Sequence, residues 1–131
     1  MKKLINRPED FVDEFLEGIA LAYGDRLKFL GEDRRIVLSN SPIKRGKVGI
    51  VTGGGSGHLP VFLGYVGEGM LDGCAVGNVF ASPSAQRMAD MIEACNFGNG
   101  VLCLYGNYGG DNLNFDMAAD QIGRASCRER V

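Results

Sequence analysis

The sequence predicts an α/β domain in three layers around a mainly parallel central sheet, and three observations carry that prediction. From Lys47 onward one plan recurs three times: a short apolar run, a loop rich in Gly or small polar residues, then a helix-like stretch. The runs are continuous rather than alternating, as strands buried on both faces are. The size also fits, because 131 residues with 45% hydrophobic and 23% charged side chains make one domain able to bury a core.

The elements follow in order. Pro8 stands where a first helical turn accepts proline, and Phe11, Val12, Phe15, Leu16 and Ile19 then fall on one face, so an amphipathic helix is expected to run to about Gly24. Within Arg34 to Ser39, Ile36-Val37-Leu38 reads as a short strand. Ser41-Pro42 and Lys44-Arg45-Gly46-Lys47 read as a surface loop. The three core strands are expected at Val48 to Val51, Gly73 to Val76 and Gly100 to Leu104. The middle one is weak, since Gly and Ala are poor strand formers. Their loops run from Gly53 to His58, from Phe80 to Ser84 and from Asn107 to Asp111. Loops that follow parallel strands emerge at one carboxyl edge, where open α/β sheets bind ligands, so these three predict a single site.

A net charge of -2 gives no electrostatic reason to expect nucleic acid or an anionic membrane as partner. No apolar stretch approaches the roughly 20 residues of a bilayer span, and Met1-Lys2-Lys3 is not followed by a signal-peptide apolar block, which leaves the cytoplasm as the expected compartment. Cys74, Cys95, Cys103 and Cys127 form no C-x-x-C pair. Buried free thiols are expected rather than disulfides or a metal site.

Thr52-Gly53-Gly54-Gly55-Ser56-Gly57-His58-Leu59-Pro60 follows a strand, and Pro60 suits the start of a helix. The loop matches neither the phosphate-binding pattern ending in Gly-Lys-Ser/Thr nor the dinucleotide pattern Gly-x-Gly-x-x-Gly. Its glycines are open to two readings, tight packing or close approach to a ligand. His58, the only histidine, sits at the loop tip, where an imidazole can exchange protons with a small ligand. Asp111 reads either as the cap of the helix that follows or as a general base toward a hydroxyl. Ser82 with Pro83 reads as a helix cap and first turn. Asn78 and Phe80 fall at the same edge.

Gly53-Gly54-Gly55-Ser56-Gly57-His58, Gly64-Tyr65-Val66-Gly67-Glu68-Gly69-Met70-Leu71, Phe80-Ala81-Ser82-Pro83-Ser84 and Asn107-Tyr108-Gly109-Gly110-Asp111-Asn112-Leu113-Asn114-Phe115 together resemble the K domain of dihydroxyacetone kinases, as does the start, Met1 to Asn6. The resemblance covers residues 1–120 and implies the N-terminal half of that domain. It implies a kinase for short ketoses whose K part holds substrate. ADP or ATP with magnesium then sits on a separate L subunit or domain, and no cofactor sits on this chain. A histidine of the second K half binds the ketone covalently as a hemiaminal in that family, so this piece alone is expected to be inactive. The resemblance makes Gly55, Ser56, Gly57 and His58 the substrate-contacting loop, with His58 in acid/base chemistry at the carbonyl. It makes Asp111 the carboxylate that activates the accepting hydroxyl. It also implies a homodimer at full length.

Two departures stand out: Leu59 where many members read Glu, and Gly106 where many carry lysine before the Asn-Tyr pair. The second removes a cation and is expected to make room, which opens the site to erythrulose besides dihydroxyacetone. The competing reading is a non-catalytic K-like protein that senses a ketose and binds a regulator. Residues 121–131 leave the pattern. From Ile122 the ten residues match in order the in-frame translation of a sequencing-library adapter, so this tail is expected to be non-native.

Overall fold

The computed structural model describes residues 2–43 and 45–123, and the backbone of 126–128. A 3-10 turn, Pro8–Asp10, leads into α1 (Phe11–Tyr23), which ends at Gly24. Asp13 and Glu14 in the first turn of α1 oppose the positive end of the helix dipole. Val12 and Leu16 are buried, and Phe11, Phe15 and Ile19 pack beside them, which is the face read from the spacing.

Next comes an antiparallel hairpin of β1 (Leu27–Leu30) and β2 (Ile36–Ser39), registered Leu27 to Ser39. Only β2 is legible in the sequence. Leu27-Lys28-Phe29-Leu30 is a four-residue edge strand, held by its partner rather than by a pattern of its own.

The parallel core is β3 (Gly49–Gly54), β4 (Gly73–Val76) and β5 (Val101–Cys103). With the short strand β6 (Ser126–Arg128) the sheet order is β1-β2-β4-β3-β5-β6. The pairs β3–β4, β3–β5 and β5–β6 are parallel, so the sheet is mixed but mainly parallel. The expected non-native tail lies mostly outside the described residues. Of it the structure describes Gln121 to Gly123 and the backbone of β6.

Helices α2 (Ala85–Ala94) and α3 (Gly109–Ile122) cover one face. Ile36, Leu38, Val51, Ala75, Met88, Met91, Val101 and Phe115 form the core there. Val37, Cys74 and Val76 point the other way and meet Val12 and Leu16 of α1. The alternation along β2 and β4 is what gives three layers. The weak residues of β4 are suited to their place. A Cβ at Gly73 would stand 2.8 Å from Cys95 Sγ and 3.1 Å from Leu38 Cδ2, so close packing under α2 requires glycine.

Three local expectations are corrected. No α-helix follows Pro60: the segment forms a 3-10 turn at Leu63–Tyr65 and a Val66–Leu71 bridge. Gly64, Gly67 and Gly69 oppose a helix there, Gly69 with φ of 78°, and the segment instead buries Leu63 and Val66 under α1. The cap of α2 is Ser84, whose hydroxyl accepts from the Arg87 N–H at 3.3 Å, so Ser82 is not the cap. Tyr108 is the N-cap of α3, which puts Asp111 at its third residue rather than at the cap.

Candidate functional site

The topology selects one edge. β3 lies between β4 and β5; the chain leaves β3 for β4 along the α1 face, then crosses to β5 through α2 on the opposite face. Strand order therefore reverses at β3, and the crevice beyond the carboxyl ends of β3 and β5 is a switch point of the kind that binds ligands in open α/β sheets. The loop after β3 carries His58 and the loop after β5 carries Tyr108 and Asp111.

Hydrogen bonds fix the first loop. The Ser56 N–H donates to Asn78 O at 2.9 Å, and the buried Ser56 hydroxyl donates to Gly77 O at 2.5 Å. Ser56 thus ties the loop to the end of β4, and its hydroxyl faces protein. Gly77 O also accepts from Arg35 Nη1 at 3.2 Å, as does Asn78 Oδ1 at 2.8 Å. Arg35 in turn holds Asp13 of α1, at 2.7 and 3.1 Å. Asn78 is therefore committed to the scaffold.

Packing accounts for the glycines. A Cβ at Gly54 would overlap the Phe62 ring, and at Gly57 it would stand 2.6 Å from Phe80 ring carbons. At Gly55 it would stand 3.0 Å from Ala81 O. Phe80 is 84% exposed with φ of 54°, an uncommon backbone state for an aromatic residue, and its ring rims the edge. The cross-loop ring contacts could not be read from the sequence.

The half-buried His58 ring lies between two others. Its centroid is 5.8 Å from Phe62, edge-on at 86°, and 5.3 Å from Tyr108, tilted by 34°. The space expected at Gly106 is filled, because the Tyr108 ring occupies it.

Asp111 is 2% exposed, and its Oδ1 has no hydrogen-bond partner. Burial pushes its pKa above the ordinary carboxylate value, while a hydrogen bond from Ser82 and the charge of His58 pull the other way. A buried carboxylate with an unsatisfied oxygen is costly, and such groups concentrate at functional sites. An imidazole and a carboxyl group of raised proton affinity thus lie at one sheet edge, close enough to interact electrostatically.

Elsewhere, a cavity of about 240 Å³ at the opposite edge is lined by Lys28, Lys47, Asp72 and Cys95; Lys47 and Asp72 are paired there at 2.6 Å. Cys74, Cys95 and Cys103 are buried free thiols, as expected. The side chain of Cys127 lies outside the described residues.

The Dak1 domain profile matches residues 17–130. The chain belongs to the Dak1 domain family. It is 42% identical, over 92% of its length, to the dihydroxyacetone-binding subunit DhaK of the dihydroxyacetone kinase 2 of Listeria innocua. It is 43% identical over 93% to the L-erythrulose kinase of Pectobacterium atrosepticum. This Dak1 chain spans 36% of the first relative and 20% of the second. Its fold superposes on the C. freundii dihydroxyacetone kinase solved with AMP-PNP and Mg2+, with a TM-score of 0.86, 33% identity, and coverage of 99% of this chain and 25% of that one. It also superposes on the dihydroxyacetone kinase operon co-activator DhaQ, with a TM-score of 0.80, 32% identity, and coverage of 91% and 36%. The three-layer α/β expectation and the family resemblance both hold.

Proposed function

We propose that this Dak1 chain is the substrate-binding part of a dihydroxyacetone (glycerone) kinase acting on dihydroxyacetone or erythrulose. The observation that supports it is the meeting of His58 and Asp111 at the switch-point crevice of a chain in this family. His58 exchanges a proton at the ketone carbonyl. Asp111 takes the proton of the hydroxyl that receives phosphate, as the new O–P bond forms and the donor's bridging P–O bond breaks. Burial raises the proton affinity of Asp111, which favours that step. Gly55, Ser56 and Gly57 shape the loop beneath the ketose, with Ser56 holding its backbone in place.

ADP or ATP with magnesium belongs to an L-type partner, and the complete protein is a cytoplasmic homodimer. The covalent hemiaminal histidine is not among these residues, whose only histidine is His58. Residues 121–131 are a non-native tail. The co-activator that shares the fold keeps a ketose sensor in view as the second reading. An unsatisfied buried carboxylate beside an imidazole is more than sensing requires, and it favours the kinase. The test is a coupled assay of the complete reading frame with an L-type subunit, supplied with ATP, or with phosphoenolpyruvate together with the phosphotransferase proteins that pass its phosphoryl group to the nucleotide on that subunit. Ketose phosphorylation slowed by roughly 10² to 10⁴ in Asp111→Asn is expected. Ketose binding without phosphorylation from either source would establish the sensor instead.

A further inference from the structure

We propose that Gly106 and Tyr108 act as a pair that positions the His58 imidazole, Tyr108 as the positioning residue and Gly106 as the vacancy its ring needs. The inference rests on the reading of His58 as a ligand-facing group. The Tyr108 N–H donates to Gly106 O at 2.8 Å, closing a three-residue turn that folds the ring back over the Gly106 α-carbon. A Cβ on residue 106 would stand 2.7 and 2.9 Å from ring carbons Cε2 and Cδ2, so any side chain there displaces the ring. From that seat the ring meets His58 at 5.3 Å and 34°, within the range of favourable aromatic pairs. Phe62 meets the other flank of the imidazole at 5.8 Å, and it too stands over a glycine, Gly54.

Two rings thus hold the imidazole, each in space left by a missing side chain. Tyr108 is half exposed and no part of the core, so its ring is explained by what it faces. At this site an aromatic wall occupies the place from which a longer side chain at 106 would reach the ligand.

His58 is the only histidine, so its carbon-bound ring protons give two resolved NMR signals that sense the Tyr108 ring current. Tyr108→Ala and Gly106→Ala should each move both signals, and Tyr108→Phe should leave them in place. The double variant should match Tyr108→Ala alone, because the methyl group added at position 106 then has no ring to displace. Loss of the ring current moves the signals by itself, so position is read from the Overhauser contact between the His58 and Phe62 rings, which should weaken in both single variants. The inference is overturned if that contact is unchanged in Tyr108→Ala, or if Gly106→Ala shifts the signals equally in the Tyr108→Ala background. Should Gly106→Ala not fold, Tyr108→Ala against Tyr108→Phe decides alone. No ketose enters this measurement, so its failure is separate from failure of the proposed activity, which the ketose assay reads.

Discussion

Ser82, from the loop before α2, donates a hydrogen bond to the Asp111 carboxyl group at the third residue of α3, yet Asp111 Oδ1 stays without a partner. The same contact explains the glycine before it: a Cβ at Gly110 would stand 2.6 Å from Ser82 Oγ. The carboxylate is held in place but left partly unsatisfied, which a purely structural role does not require.

Asp111→Asn should therefore uncouple stability from function. Removing a buried charge with an orphan oxygen should leave the chain as stable or stabilise it by about 1 kcal/mol. Activity of the complete enzyme should fall by roughly 10² to 10⁴, the usual worth of a general base. Thermal unfolding of the variant, set beside the coupled assay, checks both.

The pH dependence of stability follows in sign. A carboxyl group whose folded pKa is raised binds its proton more tightly in the native state. Its contribution is present below the ordinary value of 3.8 and is lost as pH rises through the folded value. The stability of wild type relative to Asp111→Asn should therefore decline as pH rises across that window. Ser82→Ala should extend the window upward, because it removes the donor that draws the pKa down. Denaturant melts between pH 3 and 7 (about 3 to 7, bracketing the reference carboxylate pKa) measure it.

Legibility in the sequence is uneven, for physical reasons. Three apolar runs with their loops suffice to gather His58 and Asp111 at one edge, because parallel strands leave no other arrangement. The capping positions are not legible at either helix: the sequence points to Ser82 where Ser84 caps, and to Asp111 where Tyr108 does. A Ser-Pro-Ser run and a Tyr-Gly-Gly-Asp run each offer more than one start, and tertiary contacts choose between them. The seat of Phe80 over Gly57 is a contact between loops, and those of Phe62 over Gly54 and Tyr108 over Gly106 depend on how each connection folds back on itself, which no apolar spacing encodes.

Arg35 is 7% exposed and joins α1 to the loop beneath Ser56 through Asp13, Gly77 O and Asn78 Oδ1. Arg35→Ala should cost about 1 to 3 kcal/mol in urea unfolding, since it strips a charge-assisted bond from the buried Gly77 carbonyl and others from the exposed Asp13 and Asn78 side chains. Arg35→Lys should recover only part, because an ammonium cannot span all three partners.

The buried thiols offer a check on the core. Burial pushes Cys95 up to about 12 and Cys103 up to about 11, and Cys74 is raised as well. Thiolate is the reactive form, so alkylation at pH 8 (about 8, below the ordinary thiol pKa) should spare these three until the chain unfolds. Peptide mass spectrometry of native and unfolded samples reads this out.

The most direct test of the central claim is an NMR titration of this chain with dihydroxyacetone, erythrulose and glycerol, following the His58 ring signals. A ketose site at the β3–β5 crevice predicts saturable shifts with at least one ketose, none with glycerol, which lacks the carbonyl, and loss of the response in Asp111→Asn. Signals indifferent to both ketoses, or responding equally to glycerol, would contradict the account.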